Sequence, residues 1–176
     1  MAEGDAEGVL LTGAYGTGKS SLAEEMAHVL ELRGVAFGAL DLDWLGWFGA
    51  PGLGEGQSRD VFLRNLAAVT ANYRAAGVLR FVLAGSVRDR DQVIELEAAA
   101  GVPLRVIRLV VGEAEITRRL LDNPTSGRRV DLDVARQWLA DGIGEGIEDR
   151  ALANEGPVAV AAATVLDWLG WGSPRT

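Results

Sequence analysis

Short apolar runs alternate along the chain with stretches in which apolar side chains recur every three or four residues. Val9-Leu10-Leu11, Val35 to Leu40, Leu79 to Ala84 and Leu104 to Val110 have the length and Val/Leu content of buried strands, and 150–154 reads as a weaker fifth. Between them, Leu22, Met26, Val29 and Leu30 mark one face of a helix over Ser20 to Arg33, which Gly34 closes. Phe62, Leu66, Val69 and Tyr73 mark a second helix that stops at Gly77. Further helices are expected near 91–100, over Gly112 to Leu121 and over Asp133 to Ala140. Pro157 opens a last one that runs to Leu169, as suits proline in a first helical turn. Residues 44–58, with five glycines, a proline and two tryptophans, read as a long loop. Asn123 to Val130 reads as a polar connector.

Strands alternating with helices predict an α/β fold: a parallel sheet with helices on both faces, three layers in all. Ligands of such sheets bind outside the carboxyl ends of the strands. Here those ends are 12–20, 41–44 and 85–91, each polar or glycine-rich.

At 176 residues with 48% hydrophobic side chains, the chain is expected to form a single domain over 1–176 that can bury a core without metal or disulfide support. It contains no cysteine and one histidine, His28. That excludes thiolate metal sites, cysteine nucleophiles and histidine clusters. The net charge of −8 argues against nucleic acid or an acidic lipid surface as a partner. No apolar run nears the ~20 residues that span a bilayer. With the acidic start Met1 to Gly8, this gives the expectation of a cytoplasmic protein, monomer or homodimer, without a membrane or nucleic-acid partner. The chain has sixteen arginines and one lysine, so the place of that lysine is informative.

Lys19 falls inside Gly13-Ala14-Tyr15-Gly16-Thr17-Gly18-Lys19-Ser20, which matches G-x-x-x-x-G-K-S in full, directly after a strand and before a helix. Glycines let successive backbone N–H groups curl around an oxyanion, and the following helix adds its positive end. The motif assigns Gly13 to Ser21 to nucleotide binding, Lys19 to the β- and γ-phosphates, and the Ser20 hydroxyl to Mg²⁺. ATP and Mg²⁺ are thus the expected cofactors.

A guanine-reading N-K-x-D is impossible without a second lysine. The third strand ends Leu83-Ala84-Gly85-Ser86, without the aspartate a mechanical ATPase would usually place there. Acids follow the second strand instead, as Asp41 and Asp43. At i and i+2 on an extended segment both would point to one site. One could hold Mg²⁺, and the other could take a proton from an attacking hydroxyl.

Together these segments resemble the small P-loop kinases: adenylylsulfate kinase, chloramphenicol phosphotransferase, and shikimate and gluconate kinases. Leu40-Asp41-Leu42-Asp43 is similar to the Asp-Gly-Asp segment of adenylylsulfate kinase. Arg59, the helix ending Ala75-Ala76-Gly77, and Ser86 followed by Arg88 and Arg90 are similar to its next stretch. The resemblance covers roughly 8–120 and the final helix with Leu169-Gly170-Trp171. The chain departs from it at Phe62-Leu63-Arg64-Asn65, where that family has Asn-Ile-Arg-Arg, and lacks its Phe-Thr-Gly-Ile sequence. The resemblance implies a five-stranded sheet of order 2-3-1-4-5 and transfer of the γ-phosphate of ATP to a hydroxyl of a small molecule. Asp43 would be the base, Asp41 would serve the metal, and Arg119 would lie near the adenine. Arg128 or Arg129, in a lid at about 122–130, would reach the phosphates. The acceptor would meet Asp43, Trp44, Arg59, Ser86 and Arg88, with Trp47 and Phe48 shaping a pocket of its own. An antibiotic- or nucleoside-modifying kinase and a nucleotide-binding module without catalysis are the alternatives.

Overall fold

The structure, a computed structural model, describes residues 5–122 and 126–171, without the side chains of 126–129. Five strands, β1 (Glu7–Thr12), β2 (Phe37–Asp41), β3 (Arg80–Ala84), β4 (Leu104–Val110) and β5 (Arg150–Ala153), pair in parallel in the order β2-β3-β1-β4-β5. The expected sheet order is the observed one. Helices α1 (Lys19–Leu32), α2 (Leu42–Gly46), α3 (Glu55–Ala75), α4 (Arg90–Ala100), α5 (Glu113–Leu121), α6 (Ser126–Ala140) and α7 (Val158–Leu169) surround it.

The pleat sends alternate side chains to opposite faces, and each face has its own helices. Val9, Leu11, Val82, Ile107 and Leu109 pack against Leu22, Met26 and Leu30 of α1 and Val165 and Leu166 of α7. Leu10, Phe81, Leu83 and Val106 pack against Phe62 and Leu66 of α3 and Val93 and Leu96 of α4. A third cluster lies beyond the carboxyl edge, where Ile116, Leu120, Leu132, Ala135 and Trp138 of α5 and α6 close over Ala14. The phosphate-motif loop is therefore gripped from outside the sheet as well as by its own strand and helix.

Three elements differ from the sequence expectation. The region read as a loop over 44–58 contains α2 and the start of α3. Asp41 caps α2 by accepting from the Asp43 N–H at 3.0 Å, and Gln57 caps α3 by accepting from the Gly54 N–H at 3.1 Å. Five residues are too few to show a helical period, so capping alone marks α2. The expected polar connector is in part helix, because α6 begins at Ser126 rather than Asp133.

Among the described residues, no helix is long and apolar enough to cross a membrane.

Candidate functional site

The carboxyl ends of β1, β2 and β3 meet at the loop that joins β1 to α1. Gly13 has φ +137°, and a Cβ there would lie 2.8 Å from the Leu109 carbonyl oxygen, so only glycine fits. Gly18, the residue before α1, has φ +92° and faces the Asn154 side chain. The Thr17 hydroxyl donates to the Ala14 carbonyl at 2.8 Å, closing the turn from inside. The amides of Lys19, Ser20 and Ser21 open α1 without intrahelical acceptors, which leaves them for an anion.

Lys19 is 93% shielded from solvent and donates from Nζ to the carbonyls of Gly13 and Ala14, both at 3.0 Å, under the Tyr15 ring. Burial lowers its pKa to about 8, although the carboxylates of Asp43, Asp41 and Asp131 act in the opposite sense. Burial and the same three carboxylates push the Tyr15 phenol up.

The Ser20 hydroxyl donates to Asp41 Oδ2 at 2.6 Å, which joins α1 to the end of β2. Asp41 is thus bound on both oxygens, to Ser20 and to the α2 backbone. Asp43 lies in the first turn of α2, not on an extended segment. The two acids do share a site, but through a helix cap instead of strand alternation. Burial, then repulsion from Asp41, raises the Asp43 pKa, with Lys19 pulling it down.

Asp43 opens into a cleft of about 810 Å³ between α2, α3, α4 and α6. Tyr15, Trp47, Arg59, Ser86, Gln92 and Asp131 contribute to its lining. The Ser86 hydroxyl donates to the Gly13 carbonyl at 3.1 Å, and the Val87 N–H donates to Thr12 Oγ1, so the cleft floor is fixed to the phosphate loop. Arg59 lies over the Phe62 ring and donates to Glu95 Oε2 from both Nε and Nη2.

Other expected residues lie elsewhere. Trp44 is exposed beside Trp47, ring centroids 5.1 Å apart, but does not line the cleft. Arg88 packs over Trp138 of α6 and is likewise outside the lining. Arg119 donates to Glu115, to the Thr17 carbonyl at 3.3 Å and to the Asn154 carbonyl at 2.7 Å, which sets it against the outer side of the phosphate loop. The side chains of Arg128 and Arg129 lie outside the described residues.

Two residues of the site escape sequence reasoning. Asn154, at the end of β5, is buried and donates to the Thr17 carbonyl at 2.8 Å. Asp131 reaches the cleft from α6. The first follows a weak strand and the second sits amid ordinary surface polarity of a helix, so neither leaves a local pattern.

The geometry has relatives among solved structures. A sugar kinase from Janibacter sp. shares 20% identity over 97% of this chain and 99% of that one, with TM-score 0.67. A tunicamycin resistance protein from Deinococcus radiodurans shares 18% over 97% and 99%, TM-score 0.62. The APS kinase of Mycobacterium tuberculosis, in complex with AMPPNP and APS, shares 21% over 94% and 98%, TM-score 0.58. The fold is that of the small P-loop kinases. No family model and no curated protein matches the chain. At these identities the likeness concerns the fold, and the reading of the chemistry rests on the residues above.

Proposed function

We propose that the protein is an ATP-dependent phosphotransferase that moves the γ-phosphate to a hydroxyl of a small molecule. The observation that carries this reading is the 2.6 Å contact between Ser20 and Asp41, with Asp43 two residues on, in the first turn of α2, lining the cleft. Phosphate-binding backbone, a metal-compatible oxygen pair and a carboxylate facing an acceptor-sized space occur within one neighbourhood. The kinase fold of the structural neighbours supports it.

The Ser20 hydroxyl and the Asp41 carboxylate are hard oxygen donors, which suits Mg²⁺. That ion usually takes one or two protein oxygens and completes its shell with water and phosphate. When bound, it would neutralise charge on the β- and γ-phosphate oxygens. Lys19 would exchange its two loop carbonyls for those same oxygens, and α1 would present its free amides to the triphosphate. Asp43 would hold the acceptor hydroxyl and take its proton as the oxygen bonds to the γ-phosphorus. The bond to the β–γ bridging oxygen then breaks and ADP leaves. Burial and the neighbouring Asp41 raise the Asp43 pKa, which makes its carboxylate a better proton acceptor than an ordinary one. Arg119 would stiffen the loop from behind.

The test is ADP release with ATP and Mg²⁺ across a panel of hydroxyl compounds, with mass spectrometry of the products. Acceptor-dependent ADP release and a product heavier by one phosphoryl group are expected. ADP release that no acceptor accelerates, from folded protein that binds ATP, sinks the reading.

A further inference from the structure

Resting on the phosphotransferase reading, we propose that the acceptor is a ring-bearing alcohol that is uncharged or carries an amine, and that carboxylate-bearing acceptors are disfavoured. Three carboxylates, Asp43, Glu55 and Asp131, line the cleft. Among the described residues, Arg59 is the one cationic side chain in that lining. It is already engaged: Glu95 of α4 accepts from its Nε at 3.1 Å and its Nη2 at 2.9 Å. One face of the guanidinium covers the Phe62 ring at 5.0 Å. An incoming anion would have to displace Glu95 and would then face three acids of its own sign. An amine would be attracted by those acids, and a neutral polyol would avoid the conflict.

The walls specify the rest of the molecule. Trp47 is 73% exposed at the mouth, and Leu53, Leu42, Val87 and Leu96 add apolar surface around it. An exposed indole facing a cleft provides a flat apolar surface for a sugar or aromatic ring. Ser58, Ser86 and Gln92 offer neutral hydrogen bonds to hydroxyls. Lys19 is not part of this lining, since its ammonium points beneath Tyr15 to the Gly13 and Ala14 carbonyls.

The experiment uses two matched sets of probes on the intact chain with AMPPNP and Mg²⁺: glucose, glucosamine and glucuronate, then benzyl alcohol with no substituent, a 4-aminomethyl group or a 4-carboxyl group. Saturation-transfer NMR titrations measure binding, and ADP release is measured separately with ATP. The amine and neutral members of each set should bind more tightly than the carboxylate, by about fivefold for the amine, given partly exposed charges. Glu95→Gln, which releases Arg59, should shrink that preference, and Glu55→Gln should shrink it from the amine side. Tightest binding by the carboxylates, or no saturable response from any probe, overturns the inference. Ordered binding without any acceptor-dependent ADP release supports the charge preference and overturns the phosphotransferase reading instead. Phosphorylation of the carboxylate members in preference to the others overturns the inference and leaves that reading standing.

Discussion

The two ends of the site are built differently. On the nucleotide side nearly every polar group has a partner: Lys19 on two carbonyls, Ser20 on Asp41, Thr17 on Ala14, and Asn154 and Arg119 on the Thr17 carbonyl from behind. On the acceptor side, Trp47 and Leu53 are exposed, and Arg59, the one arginine among the described residues of the lining, is paired with a residue outside it. The nucleotide side is preorganised, so it should lose binding or rate sharply when one member is removed. The acceptor side is shaped by walls and charge, so it should trade one ligand for another when altered.

The largest expected effect sits where the two ends meet. Asp43→Asn should lower the transfer rate by about 10²–10⁴, the usual worth of a positioned base, while ATP-Mg²⁺ affinity holds. Single-turnover kinetics beside calorimetric titration of the nucleotide would show the split. If Asp43→Asn weakens nucleotide binding and leaves the rate alone, Asp43 belongs to the nucleotide side. Asp41→Asn should do the reverse, weakening nucleotide binding in a way that added Mg²⁺ partly restores.

Lys19→Met comes next. Losing a preorganised cation at the developing phosphoryl charge should cost about 10²–10³ in transfer. A folded Lys19→Met protein with near-parental turnover would remove the phosphate loop from the mechanism.

How legible each end was in the sequence follows from how it is assembled. The phosphate loop is eight consecutive residues whose glycines, lysine and serine act on one ligand, so a linear pattern contains it. The sheet order agrees with expectation because strand and helix periods are clear and the resemblance carries the topology. Asp41 and Asp43 were legible as a pair, yet the reason they converge was not, since α2 is a single capped turn too short to show a period. The acceptor cleft collects Tyr15, Asp43, Trp47, Arg59, Ser86, Gln92 and Asp131 from six segments. Its key feature, the Arg59–Glu95 pair, joins residues 36 apart on different helices. Nothing local in the sequence distinguishes that arginine from one free to bind an anion. Arg88 shows the converse, since the family resemblance assigned it to the acceptor and Trp138 holds it elsewhere.

Asn154 tests whether the nucleotide side is braced from behind. Asn154→Ala removes the shorter of the two donors to the Thr17 carbonyl, leaving Arg119 at 3.3 Å, and should cost about 1 kcal/mol of stability. The same change should weaken ATP binding several-fold, because the loop it holds must keep its shape. Denaturant unfolding and nucleotide titration on one preparation would check both. Loss of stability with unchanged affinity would mean that the loop holds its shape from its own turn.

The same preorganisation can also be read through pH. Burial lowers the Lys19 pKa to about 8, from an ordinary lysine value of about 10.5. Between those values the unfolded chain binds a proton that the folded chain has released, so this group makes stability rise with pH across that window. The full difference corresponds to about 3 kcal/mol, present as a penalty below pH 8 and relieved as pH climbs toward 10.5. Triphosphate needs the charged form, so binding above pH 8 must take up a proton. Affinity for ATP-Mg²⁺ should fall about tenfold between pH 7 and pH 9, a consequence of the same linkage. Calorimetry in buffers of different ionisation enthalpy would register that uptake directly, and Lys19→Met should abolish both trends. Proton uptake that persists in Lys19→Met would assign the titration to another group. Pairing of Lys19 with the loop carbonyls would then have no control over what the loop binds.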